Sequence, residues 1–279
     1  MNVRTLFVLV ASLCASACSD SRGPVPRTSD GVIQHARKAS VIDSALLSLS
    51  HAAGGVDGTT YTVQAPSPSA TAGAIVGRLT GGGRLTAALP VEPTHNLAAC
   101  KPFVETVLPS RNDGVGNAVV WLVGVPAGPA DNAPRRITLK LGGCRLFPRV
   151  QRVTVGGTVL VSSLDAMTSR LQFRDAGRVD VLRETVRFND AGQVVPTSLV
   201  AAQPGLVEVR DDLHPWVHAW LAVTPHPFVV VTTDDGQFRF EGVPPGAYTL
   251  VVWSESRGTQ SRAVRSTSGI ETRVDLKFD

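Results

Sequence analysis

The stretch that most constrains the fold is residues 228–253, FVVVTTDDGQFRFEGVPPGAYTLVVW. Phe228–Thr233 is β-branched and aromatic, which suits a pleated, half-buried surface. Asp234-Asp235-Gly236 supplies residues that tolerate a tight turn. Gln237–Phe240 alternates, placing Phe238 and Phe240 on one face and Arg239 on the other. Pro244-Pro245-Gly246 stops that strand, because proline gives a ladder no N–H and glycine accepts the turn. Tyr248–Trp253 then reads as a third strand. The pattern predicts three consecutive strands, the first two as a hairpin, in an all-β fold.

The spacing T-D-x-G-x-F-x-F-x-x-V-P-P-G-x-Y-x-L, from Thr233 to Leu250, resembles the second half of a carboxypeptidase-regulatory-like (transthyretin-like) β-sandwich. The resemblance implies a fold and no chemistry of its own. GAIVGRLT at Gly73–Thr80 resembles the first strand of the same sandwich, and GNAVVWL at 116–122 resembles the next. In such domains the T-D-x-G segment follows soon after, whereas here a long stretch intervenes. Two arrangements fit. Either residues 73–126 and 228–279 are two parts of one sandwich interrupted by 127–227, or two all-β domains follow one another. The first predicts that the strand at Ile75 or Val119 pairs with a strand after Phe228.

Within 127–227, Arg136–Leu141 reads as a strand. CRLFPRV at Cys144–Val150 leads into VTVGGTVLV at Val153–Val161, two alternating strands around Gly156-Gly157 that predict a hairpin. Together with DDLHPWV at 211–217, this segment resembles a cupredoxin-like (plastocyanin-like) Greek-key β-sandwich of the kind found inside bacterial regulatory-like proteins. A blue-copper centre needs two imidazoles, a thiolate and a weak axial thioether, since copper changing oxidation state takes soft and borderline ligands. The resemblance puts those positions at Ser169, Asp211, His214 and Val217, and only His214 is a ligand type. It therefore implies a degenerate scaffold with no cofactor. His214-Pro215-Trp216 then shapes a loop whose tryptophan packs inward, and His214 with His218 is the residual candidate for an adventitious Zn²⁺ or Cu²⁺ site.

Other chemistry is missing from the sequence. It has no G-x-S-x-G elbow, no H-E-x-x-H and no phosphate-cradling glycine loop. Asp211-Asp212 and Asp234-Asp235 are accounted for by loop solvation and turn propensity. The expected class is a non-enzymatic binding or structural module. A copper-binding electron-transfer protein and a carbohydrate-binding accessory protein are the alternatives. The sugar reading rests on Trp220, two positions beyond His218, lining an exposed face, while Trp121 and Trp253 on predicted strands belong to the core.

The net charge of +4 is unevenly placed. Between Arg135 and Arg187, ten arginines and Lys140 face four acids, an excess of seven. That is either a solvated arginine-rich face or a surface for lipid headgroups or polyanionic glycan. No recognised nucleic-acid motif accompanies it.

At the start of the chain, Arg4 precedes an apolar run from Leu6 to Leu13, and Ala15-Ser16-Ala17 has cleavage-site spacing. The following Cys18 resembles the lipidated cysteine of bacterial lipoproteins, which implies an N-terminal lipid anchor. Ordinary cleavage at the same bond is the other reading. The apolar run is too short to span a bilayer. These features predict a signal peptide at 1–17, a Ser-, Ala-, Gly- and Pro-rich tether at 18–72 with a helix-like run at Val41–Leu49, and export to the periplasm or outer membrane. A protein or glycan partner would be met there. Cys14 leaves with the signal, so Cys100 and Cys144 remain to form one disulfide. A metal site from that pair would have to recruit Glu92, His95 or Asp113.

Overall fold

A computed structural model describes residues 61–64, 71–81, 88–131, 134–176 and 178–278. Cys14, Cys18, the signal segment, the helix-like run and most of the tether lie outside the described residues. The described chain is all-β and builds two sandwiches.

The first sandwich is made from Arg136 to Thr224. One sheet has the order Val194–Thr197, Thr158–Ser163, Arg136–Gly142, Arg145–Phe147; the other has the order Arg178–Phe188, Ser169–Asp175, Gly205–Asp211, His218–Thr224, Val150–Thr154. Strict alternation along Ser169–Asp175 turns Leu171 and Phe173 inward and leaves Arg170, Gln172 and Arg174 outside. The core closes as Leu139, Leu141, Val159 and Val161 meet Leu171, Phe173, Val207, Val209 and Leu221.

The second sandwich takes strands from both ends of the described chain. Val119–Val123 lies between Val229–Val231 and Gly246–Ser254, with Gly258–Ser266 beyond. Gly73–Thr80 lies between Gln237–Val243 and Glu271–Arg273. Strands before residue 126 thus share both sheets with strands after residue 228. Two glycines permit the close approaches this requires. A Cβ on Gly77 would lie 2.0 Å from Val274 O and 2.4 Å from the Phe238 ring. Gly236 has φ +74°, and a Cβ there would lie 2.0 Å from Leu79 O.

Two sequence expectations change. Val150–Thr154 and Thr158–Ser163 do not form a hairpin: the first pairs in parallel with His218–Thr224 and the second in parallel with Arg136–Gly142. The link at Gly156 (φ +75°) carries the chain across the core from one sheet to the other. Likewise Val229–Val231 and Gln237–Val243 belong to different sheets, although Asp234-Asp235-Gly236 does form the turn, with Gly236 N–H donating to Thr233 O at 2.7 Å. A hairpin and a sheet-to-sheet arch both require alternating strands and a glycine turn, so the pattern is the same for each.

The sandwiches meet along an apolar seam. Val119, Trp121, Val251 and Trp253 of the second pack against Val150, Ala176, Leu206 and Ala222 of the first. Trp121 and Trp253 are 1% and 2% exposed. At the crossover between sandwiches, Thr62–Val63 pairs in parallel with Ala127–Gly128, and the Tyr61 hydroxyl donates to Pro129 O at 2.6 Å. Tyr61 also packs on His226 and Phe228. Burial pushes His226 down to about 4, so that imidazole stays neutral.

Candidate functional site

His214 lies in the loop between Gly205–Asp211 and His218–Thr224 and is fully buried. Its Nδ1 is 2.8 Å from Asp211 Oδ2. A carboxylate only accepts, so Nδ1 carries the proton and Nε2 is left to accept from the Asn96 amide at 2.7 Å. Asp211 is itself closed, its Oδ1 accepting from Arg170 N at 3.0 Å and Leu213 N at 2.9 Å. Asn96 sits at φ +52° in a turn whose carbonyl accepts from Ala99 N and Cys100 N. His95 stacks on His214 at 5.0 Å, and Trp216 packs edge-on at 5.5 Å. Asn96 arrives from more than a hundred residues away with no local pattern to mark it, and His95, which the sequence offered only as a metal ligand beside the cysteine pair, stacks here on His214.

The expected copper positions behave as core. Ser169 and Val217 are fully buried, and Val217 offers no donor. Asp211 puts a hard carboxylate where a thiolate is needed and spends it on three hydrogen bonds. The residues present do not fit a blue-copper ion. Among the described residues no group of three or more His, Cys, Asp or Glu side chains is placed to hold a metal. Asp211→Ala should destabilise the protein by about 2–3 kcal/mol, because it strands the buried His214 N–H and removes the acceptor of two part-buried backbone donors. Urea unfolding measures this, and a loss under about 1 kcal/mol would contradict the hydrogen-bond assignment.

His218 does not join His214. It lies at the seam, 12% exposed, between carboxylates of the two sandwiches. Nε2 is 2.9 Å from Glu208 Oε1, an ion-pair contact set off the N–H axis, and Nδ1 is 3.2 Å from Glu255 Oε1. Arg149 Nη2 reaches Glu255 Oε1 at 2.6 Å and Nε reaches Oε2 at 2.9 Å, a two-pronged pairing, while Nη1 lies 3.5 Å from Glu105. Burial alone would raise Glu255, but His218 and Arg149 outweigh it and hold the carboxyl at about 2. Burial alone would lower His218, but Glu208 and Glu255 outweigh it and raise the imidazole.

The arginine-rich stretch is not a plain solvated face. Arg149, Arg152 and Arg183 are largely buried, paired with Glu255, Asp131 and Asp175 respectively. Arg170 pairs with Asp212 at 2.7 Å and Arg178 with Asp175 at 2.7 Å. Trp220 is not an exposed platform either: it meets Trp253 edge-on at 4.8 Å inside the seam. A cleft of about 430 Å³ opens beside Pro215, lined by Gln172, Arg174, Glu208, Arg210 and Asp212. Cys100 and Cys144 form a disulfide, both fully buried, with Met167 Sδ 3.6 Å from each sulfur. Asp165 accepts from Gly143 N and Cys144 N at 2.8 Å and fixes that turn.

No family model matches the sequence, and no curated protein matches it. Solved structures that align include amicyanins and a purple cupredoxin. A reduced-state amicyanin variant is 16% identical over 32% of this chain and 81% of its own, with a TM-score of 0.28. Amicyanin from Paracoccus versutus is 14% identical over 33% and 85%, at 0.28. A purple cupredoxin from Nitrosopumilus maritimus is 16% identical over 31% and 98%, at 0.26. Such low TM-scores support no inference alone, and the all-β sandwich rests on this chain's own strands.

Proposed function

We propose that the chain is a non-enzymatic binding or structural module of the bacterial cell envelope. In this reading it is exported, tethered through Cys18, and carries a cupredoxin-like sandwich within a transthyretin-like one. One observation supports it most: both ring nitrogens of His214 are taken, by Asp211 and Asn96, in a fully buried loop. A histidine kept for metal would present a free lone pair to a cavity holding further soft donors. This one is a hydrogen-bonded post of the loop, and Trp216 and His95 pack on it. The N-terminal pattern from Arg4 to Cys18 and the two-cysteine disulfide support export.

The test is a titration of purified protein with Cu²⁺, read by visible absorption and thermal midpoint. We expect no intense blue band, because that colour needs a copper–thiolate bond, and no copper-dependent rise that depends on His214. A strong band, or a rise abolished in His214→Ala, would replace this reading with that of a copper-binding electron carrier.

A further inference from the structure

The seam between the sandwiches holds an ionic cluster that packing alone does not require. His218 comes from the first sandwich and is flanked by Glu208 on the neighbouring strand and Glu255 on the turn after Gly246–Ser254 of the second. Arg149 enters from the loop before Val150–Thr154, donates to His218 O at 3.3 Å and grips Glu255. Glu105 approaches behind it from the Phe103–Thr106 strand. Arg210, opposite His218 across the ladder, pairs with Glu208 at 2.8 Å from an exposed position. Three carboxylates therefore converge on Arg149, His218 and a solvent-facing arginine.

We propose that His218 is a proton-operated bridge between the two sandwiches, closing the seam while its imidazole is charged and loosening it when the imidazole is neutral. Charged, the ring places its positive charge 2.9 Å from Glu208 Oε1 and 3.2 Å from Glu255 Oε1, one carboxylate from each sandwich. Neutral, it keeps a single N–H, and a ring lone pair then faces a carboxylate oxygen at about 3 Å, offset in part at Nδ1 by Arg149 Nη2 at 3.4 Å. Glu208 and Glu255 keep Arg210 and Arg149 but lose the positive charge that stood between them, so their mutual repulsion grows in a poorly solvated gap. What parts is the apolar face carrying Trp220 and Trp253.

The direction of the switch follows from the same contacts. Because the two carboxylates hold His218 above its ordinary value, the closed state is fully favoured below the free-imidazole pKa. It is lost as pH rises through the folded-state value. Glu255, held at about 2, stays charged throughout and does not compete as the titrating group.

The experiment uses the full chain, titrated between about pH 5 and pH 9. Histidine-ring NMR gives the His218 midpoint, and acrylamide quenching of tryptophan gives access to the seam. We expect quenching to rise with pH along the His218 midpoint while far-UV circular dichroism stays constant. His218→Gln should flatten the curve, and Glu208→Gln should move the midpoint down by about one unit. A quenching curve that ignores the His218 titration overturns the proposal, as does an unchanged step in His218→Gln. Should that variant fail to fold, an unmoved midpoint in Glu208→Gln overturns it equally. None of these outcomes depends on the role of His214.

Discussion

Arg149→Met should lower the unfolding free energy at neutral pH by about 3 kcal/mol. Methionine fills much of the stem's volume, so the loss reports charge rather than a cavity. What remains is Glu255 and Glu105 with side chains 15% and 16% exposed and their cation removed. A buried carboxylate that loses its main cation costs several kcal/mol, and residual water contact with His218 still beside Glu255 sets the estimate at the low end of the range for broken buried pairs. The pH dependence carries the sign. Glu255 has a depressed pKa in the folded protein, so its stabilisation is present above the ordinary carboxylate range and is lost as pH falls through about 2. The gap between variant and parent should therefore be widest near neutrality and shrink in acid, where the variant's Glu255 can protonate. Denaturant unfolding at several pH values checks it. A gap that is small at pH 7 would mean that the cluster is screened by water and contributes little, and a large gap constant down to acid would mean that the loss comes from packing rather than charge.

The elements of the fold were legible in the sequence where one residue type had one physical use. Phe238 and Phe240 alternate because one side of their strand is buried, and they fall in the second sandwich's core as their pattern implies. Gly236 sits in a turn that needs a positive φ. Partner choice was another matter. Val150–Thr154 and Thr158–Ser163 satisfy hairpin and arch equally, and the parallel partners that decide between them lie far along the chain. At the His214 loop the sequence puts Asp211, Ser169 and Val217 at the positions where the resemblance would place copper's other ligands. What replaced them was hidden, since nothing marks Asn96 as the residue that caps His214. Nor does any local pattern bring Arg149, His218 and Glu255 together. Trp220 shows the limit of alternation most plainly. Its strand position is outward from its own sandwich, yet a second sandwich covers that face.

Removing the Cys100–Cys144 cross-link, by Cys100→Ala with Cys144→Ala, should cost about 4 kcal/mol. The cross-link joins residues 44 apart in sequence, and closing a loop of that size removes roughly this much chain entropy from the unfolded state. Both cysteines are fully buried and Met167 packs on both sulfurs, so alanine also leaves a gap at the end of the core. Serine would be the worse replacement, since it adds a buried hydroxyl with no partner. The loss should also be local before it is global. Cys100 N and Ala99 N bond to Asn96 O, and Asn96 caps His214, so the disulfide holds the turn that closes the His214 loop. Asp165 continues to hold the Cys144 side through Gly143 N and Cys144 N. Hydrogen exchange in the double variant should therefore accelerate first around residues 96–100 and 211–217, while the turn at 143–144 stays protected. Uniform acceleration across both turns would show that the cross-link acts only through the unfolded chain. A stability loss below about 1 kcal/mol would show that the 88–106 segment is held by its other contacts.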